Sequence, residues 1–507
     1  MAENSALAPQ GPAAAQSDQP SWLSLYIRQW TQKPTREVLA GMVSTFALIP
    51  EVIAFSYIAG VTPAMALFST FAIAVTLSVF GGRPGMISGA AGSVALVAAP
   101  LVHGYGVDYL IPATLLAGLF QVGFGLLRLE VVMDYVSAEV VTGFANALAI
   151  LIFSAQVPQI THAGPQGWGL MALGLAIIYG APRLLPALFE RIPSPLVCIV
   201  ALYAAAEFMG WHVATIGDLG ALPTGWPELH LPHVPLTWHS LGIILPASVA
   251  MAAVGLLESM LTAEIADERT QTSSNAGQEC TGLGLANLAS SLWGGIAGCG
   301  MIGQTVGNIR YGGVGRLSTF TSGAFLLALM VALHGWVARV PVAALVAIMV
   351  MVSASTFSWQ SLRDLRTHPR LGSLVMVLTV VVVVATKNLA LGVLCGVMLS
   401  GVFFAWAAAR MVNITRSVQG DVTVCAIEGQ IFFASARRLV HTLAEPLTTP
   451  NLVVDLRGAH FLDVSAVAAF EKAVENDRKR GVNVTIEGFD DARHGLLSQL
   501  RPALLEG

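Results

Sequence analysis

Apolar residues fill most of the chain up to about position 410, in blocks separated by short polar or Gly- and Pro-rich breaks. A helix that crosses a bilayer needs roughly 20 apolar residues. By that rule the pattern predicts fourteen membrane segments, at about 36–57, 63–80, 88–101, 109–128, 133–153, 168–188, 194–209, 241–264, 278–292, 296–309, 318–334, 340–355, 371–386 and 389–410. The third and tenth are too short to cross alone. Both are entered through glycine: Gly85, Gly89 and Gly92 for the third, Gly294, Gly295, Gly298 and Gly300 for the tenth. Strong breakers ahead of a short apolar stretch predict a half-helix preceded by extended chain.

After Arg410 the pattern changes. Strands are predicted at Val422–Ile427, Leu452–Leu456 and Val482–Ile486, and helices at Ala434–Leu443, Ser465–Lys479 and Ala492–Leu500. Strands alternating with helices imply a small α/β domain. Asp463-Val464-Ser465 reads as a strand-to-helix turn and cap. At the other end, the first twenty residues are rich in Ala, Gln, Ser and Pro and lack the basic and apolar regions of a signal peptide. The predicted division is residues 1–33 as a disordered cytoplasmic stretch, 34–411 as a transmembrane domain and 412–507 as the soluble domain.

Composition agrees. The 507 residues are 55% hydrophobic and 11% charged, with mean hydropathy +0.70; soluble domains carry roughly 25% charged residues. Ten of the 26 Lys and Arg fall after Met411. With a cytoplasmic N-terminus, fourteen of the others lie on inside segments and only Arg339 and Lys387 outside. That bias sets the orientation in a cell inner (plasma) membrane and makes the C-terminal domain cytoplasmic too. The five cysteines show no paired or metal-binding spacing. No GxxxxGK[ST] motif appears, so ATP-driven pumping has no support. Neither an enzyme, a cofactor, a metal centre nor a nucleic-acid partner is expected.

Two acids interrupt this apolar chain. Glu51 lies inside the first segment and Glu258 inside the eighth. A carboxylate at membrane depth is costly and usually marks a substrate, ion or proton path. The third segment stands to the first as the tenth does to the eighth. Seven segments per half, an odd number, predict an inverted repeat, and Gly-interrupted short segments at matching positions point to the binding site. The two acids are then pseudo-symmetric.

These residues also carry a family signature. Leu39-Ala40-Gly41 is followed by Ile49-Pro50-Glu51-Val52-Ile53-Ala54-Phe55 and Ile58-Ala59-Gly60. Gly81-Gly82-Arg83-Pro84-Gly85 leads to Ser88-Gly89-Ala90-Ala91-Gly92-Ser93-Val94-Ala95, and the second half has Leu256-Leu257-Glu258-Ser259-Met260-Leu261-Thr262-Ala263 and Gly282-Leu283-Gly284-Leu285-Ala286-Asn287. In the tail stand Val453-Val454-Asp455-Leu456-Arg457-Gly458 and Phe461-Leu462-Asp463-Val464-Ser465. From about Pro34 onward the chain resembles the SulP (sulfate permease) family, bacterial relatives of the solute carrier family 26 anion transporters, with a C-terminal STAS domain. The resemblance implies a polytopic α-helical fold of 14 segments in a 7+7 inverted repeat. A core of segments 1–4 and 8–11 would move against a gate of 5–7 and 12–14. It also implies a homodimer and an anion held between the facing N-termini of the third and tenth segments.

Each helix N-terminus leaves unpaired N–H groups and about half a positive charge, so two of them facing one cavity make an anion site. The candidate donors are Ala91, Gly92, Ser93 and Val94 on one side and Gly300, Met301, Ile302 and Gly303 on the other, with Phe55 and Ala54 in the lining. Two departures from the resembled family matter: Glu51 stands where many members have Gln, and Gln304 where many have a basic residue. An anion can hardly enter beside two ionised carboxylates, so Glu51, Glu258 or both are expected to be protonated when it binds. That predicts proton-coupled symport by an elevator-like movement. The apolar lining favours a small carboxylate such as fumarate, with sulfate or bicarbonate as alternatives. A second reading of Glu258, with Thr262 one turn later, is a sodium site. An anion channel and a nucleobase permease of the same fold fit less well, the first because a channel needs no titratable coupling group, the second because such permeases lack the STAS tail.

Overall fold

In the computed structural model the described residues are 22–488 except 130, 132–134, 190–193, 220–233, 236, 294, 368–369 and 448, together with Leu500. The helix predicted at Ala492–Leu500 lies, apart from Leu500, outside the described residues. Two compact units are present: residues 1–367 with 376–393, and residues 368–375 with 394–507.

The first unit is helical. Its elements are α1 (Trp22–Thr31), α2 (Pro34–Ala59), α3 (Pro63–Phe80), the two-residue strand β1 (Ser88–Gly89), α4 (Gly92–Tyr105), α5 (Leu110–Leu126), α6 (Ala138–His162), α7 (Gly164–Leu184), α8 (Pro186–Phe189) and α9 (Ser194–Met209). Then come α10 (Ile216–Leu219), α11 (Trp238–Thr270), α12 (Ala276–Trp293), strand β2 (Cys299–Gly300), α13 (Ile302–Arg310), α14 (Arg316–Val337), α15 (Val342–Thr356), α16 (Trp359–Thr367), the part of α17 (Arg370–Thr386) from Met376 on and the start of α18 (Leu389–Arg410). Every segment predicted from the apolar pattern overlaps one of these helices. Among the described residues, eight helices are long and apolar enough to cross a membrane, and four further apolar ones are shorter.

Boundaries follow local chemistry. Pro34 and Pro63 sit in the first turns of α2 and α3, where a missing N–H costs nothing. Thr62 caps α3 by accepting from the Met65 N–H, and Gly60 closes α2 in the left-handed region at φ 74°. The helix α1 departs from expectation, because it falls inside the stretch predicted to be disordered. Its aromatic residues hold it: Trp30 packs edge-on against Phe320, and the Arg316 guanidinium lies over the Tyr26 ring. Within the unit, α2–α5 pack with α11–α14, while α15 packs on α6 and α7, and α7 on α9.

Buried acids fasten one end of the first group. Glu37, at the start of α2, accepts the N–H groups of Val314, Gly315 and Ser318 at the entry to α14. Glu279, at the start of α12, accepts those of Gly82 at 2.7 Å and Arg83 at 3.0 Å. Arg83 in turn pairs with Asp267 at 2.9 Å.

The second unit holds a four-stranded sheet in the order β3 (Asn413–Gln419), β4 (Val422–Ile431), β5 (Asn451–Phe461), β6 (Asn483–Glu487). The β3–β4 pair is antiparallel and the other two are parallel. Two helices, α19 (Phe433–Leu443) and α20 (Val464–Lys479), supply the crossovers. Alternate residues of β4 and β5, such as Cys425, Ile427, Leu452 and Val454, are buried with Leu439 and Phe470 of the helices. Asp463 caps α20, accepting from the Ala466 N–H at 2.7 Å, as the turn predicts. Strand β3 escapes prediction because it is polar and largely exposed, paired on one side only.

Candidate functional site

The two glycine-rich breaks meet. β1 and β2 pair antiparallel, Ser88 opposite Gly300 and Gly89 opposite Cys299. α4 and α13 start within three residues of these strands, so the half-helices leave from one two-stranded junction. The junction needs small residues. A Cβ on Gly298 would fall 2.1 Å from the Gly89 carbonyl oxygen, and one on Gly89 would fall 2.6 Å from Thr70 Cγ2.

Neighbouring helices hold each break by hydrogen bonds. In the first half, the Ala90 N–H donates to Thr70 Oγ1 of α3 at 3.0 Å, and the Ile87 N–H donates to Thr305 Oγ1 of α13 at 3.0 Å. In the second half, the Gly298 N–H donates to Asn287 Oδ1 of α12 at 2.8 Å, and Asn287 is itself tied to Gln121 at 2.7 Å. The Gly300 N–H donates to Ser259 Oγ at 2.8 Å, while Thr262 Oγ1 donates to the Gly300 carbonyl at 3.0 Å. Extended backbone at membrane depth survives only when such partners satisfy it.

Both predicted acids reach this junction, and each turns to the opposite half. Glu258 of α11 accepts on one oxygen, Oε2, from the Ser93 hydroxyl in the first turn of α4 and from the Cys299 thiol at 3.0 Å. Glu51 of α2, 9% exposed, shares a hydrogen bond with Gln304 in the first turn of α13. The acids are close enough to interact electrostatically. Phe55 lies against the start of α4: a Cβ on Gly92 would meet its ring at 2.6 Å.

The remaining site residues divide by exposure. Ala91, Gly92, Ser93 and Val94 are buried, as are Gly300, Met301 and Gln304. The Gly300 and Met301 N–H groups predicted as anion donors are already spent, on Ser259 Oγ at 2.8 Å and on the Ile87 carbonyl at 2.9 Å. Gly303 is exposed, and nothing lies within 4 Å of a Cβ placed there; Ile302 and Glu258 are half-buried. The start of α13 is therefore the more open of the two half-helix starts. The first three N–H groups of each half-helix have no intrahelical partner. No basic side chain bonds to either acid among the described contacts, so any positive potential there comes from the helix ends. Thr305 turns away from the junction and fastens the β1 approach. Two cavities, of about 180 and 450 Å³, open elsewhere. The smaller lies among Ala54, Tyr57, Gln156, Gln159 and Val342, the larger runs on to His162 and His212, and neither is lined by the acids.

Sequence reasoning missed Cys299, Ser259, Thr70, Asn287 and Gln121. Four of these are small or amide side chains on helices, and membrane helices use such residues routinely to bond one another. Only the three-dimensional junction tells which of them touch it. Glu37 and Glu279 gave no readable signal, because each directly follows a polar residue, Arg36 and Gln278, and reads as an ordinary acid at a helix start.

Comparison with known proteins gives one answer throughout. The sulfate permease family model matches residues 35–166 and 159–379, and the STAS domain model matches 413–501. The chain is 44% identical over 473 residues to the Bacillus subtilis (strain 168) protein named "Putative sulfate transporter YbaR", covering 93% of this chain and 98% of that one. It is 25% identical to the bicarbonate transporter BicA of Picosynechococcus sp. over 88% of both chains. Its fold matches the murine solute carrier 26 family member A9 anion transporter, solved in the inward-facing state, with a TM-score of 0.78 at 16% identity, over 97% of this chain and 92% of that one.

Proposed function

The chain belongs to the sulfate permease family of multi-pass anion transporters and carries its STAS domain, and we propose that it is a secondary active symporter of a small anion, coupled to protons. The observation that carries this reading is the junction itself. Two helix N-termini converge where no basic side chain bonds to either acid, and two carboxylates stand beside them. Helix ends attract an anion, and two ionised carboxylates repel it. Protonation of an acid removes that repulsion, so proton and anion load together.

Sulfate and bicarbonate are the leading substrates, because the relatives are named for them. Fumarate follows, on the strength of the neutral Gln304 and the apolar Phe55, Met301 and Ile302. The same reading takes α2–α5 with α11–α14 as the moving core and keeps fourteen crossings in an inverted repeat. A homodimer, with the N-terminus and STAS domain in the cytoplasm, completes it.

The test is uptake of labelled sulfate, bicarbonate and fumarate into proteoliposomes, with an inward proton gradient or with sodium in its place. Proton-driven uptake is expected, with Glu258→Gln reducing the gradient's effect on the order of ten-fold while anion binding stays measurable. Uptake that ignores the proton gradient in the wild type would sink proton coupling. Sodium-driven uptake would favour a cation at Glu258, Thr262 and the Gly300 carbonyl, a reading supported by the 3.0 Å approach of Thr262 Oγ1 to that carbonyl oxygen.

A further inference from the structure

We propose that the Glu258 carboxylate is a tethered stand-in for the transported anion. In this state it occupies the anion's place at the start of α4, and protonation must release it before an anion can bind. This rests on the transport reading above and names the event that couples proton to anion.

The first support is position. The Ser93 hydroxyl belongs to the second residue of α4, so it sits beside the unpaired N–H groups of the first turn. Its acceptor is Glu258 Oε2. The second donor to that oxygen, the Cys299 thiol, stands opposite Gly89 in the β1–β2 pair. The two donors come from opposite halves of the chain and converge on a single oxygen. An anion held between the two half-helices needs the same convergence.

The second support is the use of donors. Ser93 and Cys299 donate to Glu258, and Gln304 bonds to Glu51. These are the polar side chains of the two first turns and of β2 at the junction. Each is engaged by a carboxylate, so an anion that is to use one of these side-chain donors must displace a carboxylate. Glu258 is the one whose donors, Ser93 and Cys299, come from both halves, as those of an anion held between the half-helices would.

The third support is charge. The titratable groups facing Glu258 are Glu51 from α2 and Cys299 from β2. α4 contributes Ser93, which does not titrate in the accessible range. Among the described residues no cationic side chain bonds to Glu258, so anion and ionised Glu258 exclude each other. Ser259 and Thr262, on the helix of Glu258, clamp Gly300 next to Cys299. The cradle is thus rigid, and the carboxylate is its movable part.

Equilibrium binding of labelled sulfate and fumarate to purified full-length protein from about pH 5 to pH 8, with bicarbonate at about pH 8 only, tests this. A site filled by a tethered competitor nine-tenths of the time binds about ten-fold more weakly than an empty one. Wild-type affinity should rise as pH falls. Glu258→Gln should bind about ten-fold tighter near neutral pH and lose the pH dependence. Glu258→Asp, which keeps the charge on a shorter stem, should fall between and keep it. Glu51→Gln should keep it as well. Weaker or unchanged binding by Glu258→Gln, with wild type still binding, would overturn the tether alone. If Glu258→Gln is not monodisperse, the wild-type and Glu258→Asp pH series decide, and flat affinity in both sinks the proposal. Wild type that binds none of the three anions at any pH would bring down the transport reading as well.

Discussion

The two halves of the membrane unit place an acid at the same point and then treat it differently. In the first half, Glu51 meets the amide of Gln304. In the second, Glu258 meets the hydroxyl of Ser93 and the thiol of Cys299 on one oxygen. An amide offers both a donor and an acceptor, so it can satisfy a carboxyl group in either protonation state. Two donors converging on one oxygen suit an ionised carboxylate and lose their best acceptor when it takes a proton. The difference separates an acid that can titrate in place from one whose partners are freed by titration. Each acid is also reached from the other half's broken helix, so neither half is complete alone.

The largest expected effect lies where the halves cross. A side chain on Gly298 runs into backbone, the Gly89 carbonyl at 2.1 Å, whereas one on Gly89 meets the end of the Thr70 side chain at 2.6 Å. Backbone inside a paired junction has little room to yield, and a side chain has some. Gly298→Ala should therefore cost about 3 kcal/mol or more and Gly89→Ala about 1 kcal/mol less than that. Thermal unfolding of the two purified variants makes the comparison. Equal losses would mean that the junction yields as a whole and that its two strands are not distinguished by what they touch.

Next in size are the side chains that hold the breaks open. Ser259→Ala leaves the Gly300 N–H without its acceptor, and Thr70→Val does the same to the Ala90 N–H. A buried donor left unsatisfied costs about 1–3 kcal/mol. The second half keeps a further tie at the same residue, Thr262 to the Gly300 carbonyl, so Ser259→Ala should be the milder of the two. A melting temperature lower for Ser259→Ala than for Thr70→Val would contradict that ranking.

How much of this was legible beforehand depends on what each feature is made of. The helices follow from apolar run length, and the breaks from glycine, because both are properties of consecutive residues. The acids stood out because a charge in an apolar run has few explanations. The partners of those acids did not. Cys299 is an ordinary small residue in its own segment, and its thiol matters only because β2 is folded against α11. Gln304 was picked out, but as a site that lost a cation rather than as the partner of Glu51. Helix α1 was hidden by its setting: what orders it is Arg316 and Phe320, nearly three hundred residues away. Strand β3 was hidden by its polarity, since an edge strand with little buried surface has almost no hydrophobic pattern to read.

The smallest expected effect compares the two helix ends themselves. Gly92 and Gly303 both lie in the first turn of a half-helix, yet their surroundings are opposite. A Cβ on Gly92 strikes the Phe55 ring at 2.6 Å, while one on Gly303 has nothing within 4 Å. Gly303→Ala should then leave stability within about 0.5 kcal/mol of wild type, since no neighbour has to move. Its effect should appear in binding, because the added methyl group stands on the exposed approach to the junction. If the anion takes N–H donors from α13, affinity for labelled sulfate falls several-fold at unchanged melting temperature. If the anion rests on α4 alone, in the place that Glu258 fills, Gly303→Ala leaves both quantities where they were. The asymmetry between the halves would then extend from the acids to the helix ends they face.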